Sequence, residues 1–265
     1  MTPFFFNPRQ LKDLALEHRE EYQNAKPFAH IAFNDFLLGE IISQLIDEFP
    51  GPEEILWKNK THDHSIKKLT SADENQMGLS IRHILAEFNS WNFLSFLELL
   101  TGITGLIPDP RFEGGGMHQI MRGGSLDIHA DFNKHEKLDL DRRLNVILYL
   151  NKEWKEEYGG ALELWSKDMK RCEEKIFPMA GRLVIFSTTD FSFHGHPDPL
   201  NCPGTMTRKS LALYYYSNGR PPEEISSAHS TLYQLRPNDK KSGEIRKVIK
   251  KIVPPILWDA IRPRK

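Results

Sequence analysis

Residues 144–151, LNVILYLN, alternate without interruption. Leu144, Val146, Leu148 and Leu150 fall on one face of an extended chain, and Asn145, Ile147, Tyr149 and Asn151 on the other, because successive strand side chains point to opposite sides. Around this stretch, GGALELW (159–165), GRLVIFS (181–187) and RKSLALYYY (208–216) read as further strands, rich in β-formers and bounded by Gly, Pro and Asn. The change to period 2 sets in near Gly114. Short strands packed this densely, with few helix signals between them, predict a sandwich or barrel of jelly-roll type.

Upstream the period is 3.6. Leu38, Ile41, Ile42, Leu45, Ile46 and Phe49 form one helical face, stopped by Pro50-Gly51. Ile81, Ile84, Leu85 and Phe88 mark a second helix, and Phe93, Leu94, Leu97 and Leu100 a third after Asn89-Ser90. Near the start, Asn7 is placed to cap a helix with Pro8 in its first turn. The expectation is an α+β protein. Residues 1–110 are a mainly helical support region of the same domain, 111–220 a β core, and 221–265 a basic tail with a short helix.

The chain has 265 residues, 35 basic and 36 acidic side chains, and a formal charge of −1, so no global field draws it to nucleic acid or membrane. Hydrophobic residues make up 39%, enough for a sizeable core. Cys172 and Cys202 cannot form a disulfide framework, and MTPFFFNPRQ lacks the charged and apolar regions of a signal peptide. No apolar run approaches the ~20 residues of a membrane span. A cytoplasmic protein is expected. The tail 231–265 holds ten Lys/Arg against three Asp/Glu. Its Ile245, Val248, Ile249 and Ile252 suggest an amphipathic helix, dispensable for any chemistry upstream because the core's last strand ends before Asn218.

Two H-x-D triplets occur, His129-Ala130-Asp131 and His196-Pro197-Asp198. On a strand, residues i and i+2 share a face, so His129 and Asp131 can grip one ion together. Two imidazoles and one carboxylate on one side of a metal leave the opposite positions free, the arrangement of non-haem Fe(II) oxygenases. The second histidine must come from a distant strand. His194 stands 63 residues beyond Asp131, after GRLVIFS, whereas the second triplet is followed only by His229, in a polar segment. Fourteen residues past His194, Arg208 opens a strand on which it shares a face with Ser210. A guanidinium and a hydroxyl so placed form a carboxylate clamp, which Tyr149 could assist. Iron beside such a clamp suits a 2-oxo acid.

These pieces resemble the 2-oxoglutarate/Fe(II) dioxygenases, in their prolyl-4-hydroxylase-like branch. The resemblance runs through IHADFN (128–133), RRLNVILYLNKEW (142–154), YGGALELW (158–165), GRLVIFS, FHGHPDP (193–199) and TRKSLALYYY (207–216). It implies a double-stranded β-helix, a jelly-roll of cupin-like form. His129, Asp131 and His194 match the iron ligands, Arg208 the residue for the distal carboxylate of 2-oxoglutarate, and Tyr149 an assisting tyrosine. Asp131 in place of Gly or Ala implies hydroxylation rather than halogenation. PLNCPGTM, between His194 and Arg208, is longer than the usual turn and leaves His196 as an alternative third ligand.

The implied activity is hydroxylation of an unactivated C–H bond, a prolyl residue being one candidate, with consumption of O2 and release of succinate and CO2. Ascorbate is the expected reductant, and the substrate is a small molecule or peptide. The alternative is a non-catalytic double-stranded β-helix module that binds a metal or carbohydrate. His118, His196 and Asn145 are candidate pocket contacts. His62-Asp63-His64 reads as a solvated loop, Gly114-Gly115-Gly116 lacks phosphate-loop spacing, and Cys202 is expected near the metal.

Overall fold

The computed structural model of the protein describes residues 4–237 and 239. Asn7 opens α1 (Pro8–Asn24): its Oδ1 accepts from the backbone N–H groups of Arg9 and Gln10, and Pro8 fills the first turn. α2 (Gly39–Glu48) ends just before Pro50-Gly51. α3 (Leu79–Phe88) and α4 (Trp91–Thr101) are separated by Asn89 and Ser90, and the Ser90 hydroxyl accepts from Phe93 N–H. Gly102 closes α4 at φ 78°, a left-handed conformation that favours glycine.

The strands follow in chain order: β1 (His30–Phe33), β2 (Lys58–Asn59), β3 (Ser65–Ser71), β4 (Ile107–Pro108) and β5 (Gly116–Ala130). Then come β6 (Lys134–His135), β7 (Leu140–Tyr149), β8 (Leu162–Trp165) and β9 (Cys172–Ile176). The last are β10 (Leu183–Ser187), β11 (His194–His196), β12 (Thr207–Ser217) and β13 (Leu232–Tyr233). They form one antiparallel sheet along the path β1-β10-β7-β12-β5-β11-β8-β9, with β3 and β13 also on β5. The first part of β5 pairs with β12, Ile120 opposite Arg208, and its last part pairs with β11, His129 opposite His194. β5 therefore passes from one wall to the other and folds the sheet into a double-stranded β-helix.

The alternation of residues 144–151 now has a physical meaning on both sides. Leu144, Val146, Leu148 and Leu150 join Leu183, Ile185, Leu211, Leu213 and Tyr215 in a core cluster with the helices, through Phe6, Leu45, Ile84, Phe88, Phe93 and Phe96. On the opposite face Asn145, Ile147 and Tyr149 line a cavity with Ser210, Ala212 and Tyr214. Both faces are buried, one by helices and one around a polar cleft.

The sheet extends beyond Asn218. Leu232 and Tyr233 pair with Ala130 and His129, so β13 belongs to the barrel and not to a detached tail. The chain divides into two compact units, residues 1–234 and 235–265, and everything above lies in the first. Of the second, residues 235–237 and 239 are described, with Arg236 paired to Asp239 at 3.1 Å. The amphipathic helix expected over Ile245, Val248, Ile249 and Ile252 falls outside the described residues. Among the described residues no helix is long and apolar enough to cross a membrane.

Candidate metal centre

His129 and Asp131 come from the end of β5 and the residue beyond it, and His194 from β11 directly across. Their ligand atoms all lie within 4.8 Å of one another, the one such group of three or more among the described residues. The second histidine is thus delivered by sheet register: His194 and His129 are paired positions, with ring centroids 4.5 Å apart. Gly195 allows the close pairing of β11 with β5, since a Cβ there would lie 2.7 Å from the Asp127 carbonyl oxygen.

Each imidazole is oriented by its other nitrogen. His129 Nδ1 lies 2.8 Å from the Asp127 carbonyl and His194 Nδ1 2.8 Å from the Ser192 carbonyl. A carbonyl only accepts, so both Nδ1 atoms donate and both Nε2 lone pairs face inward. Those Nε2 atoms lie 3.7 and 3.5 Å from the Asp131 carboxylate oxygens. Burial, with the neighbouring His129, pushes His194 down to about 4, so it is neutral at pH 7. Burial alone would raise the Asp131 carboxyl, but the Arg142 guanidinium and the two imidazoles hold it well below the usual range. Two imidazoles that donate through Nδ1 and turn Nε2 inward, beside an ionised carboxylate, are the donors a divalent metal takes, so the donor set fits Fe(II).

Asn145 and Arg142 complete the carboxylate's surroundings. Asn145 Nδ2 donates to Asp131 Oδ2 at 2.7 Å, so this expected pocket residue holds a ligand in place. Arg142, not singled out in the sequence, lies 3.0 Å from the same oxygen. Its guanidinium stacks 3.5 Å from the Tyr214 ring and 4.4 Å from that of Phe132, and donates to Asn145 Oδ1.

At the other end of the cavity, Arg208 Nε donates to the Gly160 carbonyl at 2.7 Å and its Nη2 to the Tyr149 hydroxyl at 3.1 Å. Gly160 is required there: at φ 73° an added Cβ would meet Leu200 at 2.5 Å and Arg208 Cδ at 3.1 Å. Arg208 is 6% exposed and makes no carboxylate pair among the described residues, a buried cation open to an anion. Ser210 stands opposite Tyr149 in one register and His118 in the other. All four line one cavity of about 90 Å³ with the three candidate ligands and His196.

His196 shares that cavity but lies outside the ligand group. Cys202, expected near the metal, does not line the cavity; it is buried in a cluster with Ile120, Trp154 and Leu200. His64 of the 62–64 loop pairs with Asp127 at 2.9 Å and stacks on Tyr233 at 4.2 Å, next to the candidate ligand strand.

Comparison with known proteins agrees with this geometry. Residues 115–216 match the 2OG-Fe(II) oxygenase superfamily. A prolyl 3-hydroxylase of Mus musculus, OGFOD1, is 32% identical over 87 residues, 31% of this chain and 16% of that protein's length. The fold is shared with solved prolyl 4-hydroxylases. That from Pseudomonas putida has a TM-score of 0.55 and 17% identity, covering 79% of this chain and all of the other. That from Phytophthora capsici has a TM-score of 0.58 and 17% identity, covering 95% and 76%.

Proposed function

Since residues 115–216 match the 2OG-Fe(II) oxygenase superfamily, we propose that the protein is an oxygenase of the prolyl-4-hydroxylase-like branch, hydroxylating an unactivated C–H bond with Fe(II) and 2-oxoglutarate. The single observation that carries this reading is one cavity holding both the His129–Asp131–His194 group and the carboxylate-free Arg208. His129 Nε2, His194 Nε2 and one Asp131 oxygen would hold the metal. Arg208, with Tyr149 and Ser210, would hold the distal carboxylate of 2-oxoglutarate. Iron and 2-oxoglutarate, when bound, supply the activation of O2, with release of succinate and CO2 and with ascorbate as the reductant that maintains Fe(II).

The chain's own contribution is geometry and exclusion of water. The Asp127 and Ser192 carbonyls fix both imidazole tautomers. Asn145 and Arg142 hold the carboxylate so that its other oxygen stays available. Ile120, Leu126, Ile147, Leu162 and Ala212 wall the cavity against solvent. The mouse and bacterial relatives make a prolyl residue of a peptide the first substrate to try. The two unpaired cysteines support a cytoplasmic setting.

Mass spectrometry of peptide and small-molecule panels incubated with protein, Fe(II), 2-oxoglutarate and ascorbate tests the reading. A product heavier by one oxygen, formed only with 2-oxoglutarate, is expected. Metal binding without any 2-oxoglutarate consumption would instead favour the non-catalytic binding module.

A further inference from the structure

Lys68 enters the cavity from β3, outside the segment matched to the oxygenase superfamily. The register of β3 on β5 shifts between Ile66 and Lys68, and Lys67 takes φ 53°, a left-handed conformation unusual for a lysine. Such irregularities re-aim side chains. Here they send Lys67 outward, where its Nζ donates to the Arg122 carbonyl at 3.0 Å, and leave Lys68 lining the cavity. Lys68 and Arg208 flank Ile120 from its two sides in the same cross-strand row, about 10 Å apart at the backbone. The cavity therefore holds two separate cations.

Lys68 Nζ has no hydrogen-bond or ion-pair partner among the described residues, and burial pushes its ammonium down to about 8. Beside it lie two more unused polar groups. His118 Nε2 and both ring nitrogens of His196 are buried with no hydrogen-bond partner among the described residues, at 7% and 3% residue exposure. Lys68 is half-buried, and buried donors such as those of the two histidines are costly without partners unless a ligand satisfies them. In the assignment above, the distal carboxylate of 2-oxoglutarate answers Arg208, and Asp131 answers Arg142 and the metal. Lys68 is left with no carboxylate of its own: Asp131, whose charge favours its ammonium, is shared with Arg142 and the metal.

We propose that Lys68, flanked by His118 and His196, forms an oxyanion subsite that receives a carboxylate or phosphate group of the prime substrate. This rests on the assignment of Arg208 to the cosubstrate. It narrows the substrate to an anionic molecule or to a peptide with an acidic group near the reacting carbon.

The test is calorimetric titration of the protein loaded with Mn(II) and saturating 2-oxoglutarate, using inorganic phosphate as the probe. Phosphate binding in the millimolar range is expected, weakened at least about tenfold by Lys68→Met and recovered by Lys68→Arg, for loss of a half-buried ion-pair partner. The affinity for 2-oxoglutarate itself should stay within about threefold of wild type in Lys68→Met, since Arg208 is the cosubstrate's partner. Phosphate binding that is absent, or equal in wild type and Lys68→Met, overturns the subsite. So does a drop of about tenfold or more in 2-oxoglutarate affinity, which would hand Lys68 to the cosubstrate. A protein that takes up neither Mn(II) nor 2-oxoglutarate defeats the earlier assignment alone. Phosphate titration in an Arg208→Ala background then still reads Lys68 by itself, supporting the subsite if Lys68→Met weakens binding and overturning it if not.

Discussion

Asp131 accepts from Asn145 and pairs with Arg142 through one oxygen, Oδ2, while Oδ1 faces His129. Removing Arg142 leaves the carboxylate without its charge partner and held by Asn145 alone. Arg142→Met is expected to weaken metal binding by roughly 10–100-fold, with folding retained, measured by Fe(II) or Mn(II) titration. Unchanged affinity would show that Asn145 alone fixes the carboxylate. Arg208→Ala should weaken 2-oxoglutarate binding by about 30-fold or more, equivalent to roughly 2–5 kcal/mol, while metal affinity is kept. Equal 2-oxoglutarate affinity would place the clamp elsewhere. His129 and Asp131 were legible in the sequence because strand geometry makes i and i+2 neighbours. Arg142 and Lys68 were not: Arg142 meets Asp131 only through the β5–β7 return, and Lys68 is turned inward by a backbone irregularity that no pattern of residue types encodes.

Among the elements, β13 matters more than its two residues suggest. It adds to the outer side of β5 at Ala130 and His129, and the Tyr233 ring lies 5.6 Å from that of His129 and stacks on His64. A chain ending at Ser230 loses this cover, so it should bind metal more weakly and melt lower than a chain ending at Asp239. Parallel thermal melts and metal titrations of the two truncations check this; identical behaviour would reduce β13 to decoration. β7, β8, β10 and β12 are legible from composition and period, α2, α3 and α4 from theirs and α1 from its cap, whereas β3 (Ser65–Ser71) lies in a stretch that reads as a polar loop. β2, β4, β6 and β13 have two residues each, too few for any period to register, and their positions are set by the strands they join. That is why the sequence reading ended the core before Asn218.

Across the whole first unit, one sheet separates a helical apolar layer from a polar cavity. Phe93 stands at the centre of that layer, fully buried, with its ring 4.8 Å from that of Phe88 and 5.3 Å from those of Phe6 and Phe96. Phe93→Ala should cost about 3–5 kcal/mol in chemical denaturation, because the surrounding rings cannot close the void. The most direct test of the account as a whole is succinate formation from 2-oxoglutarate by the Fe(II)-loaded protein under O2, with iron content measured in the same samples. Wild type should bind one iron and release succinate. His194→Ala should lose both iron and succinate, whereas His196→Ala should keep its iron. Iron and turnover retained in His194→Ala, with iron lost from His196→Ala, would contradict the His129–Asp131–His194 site.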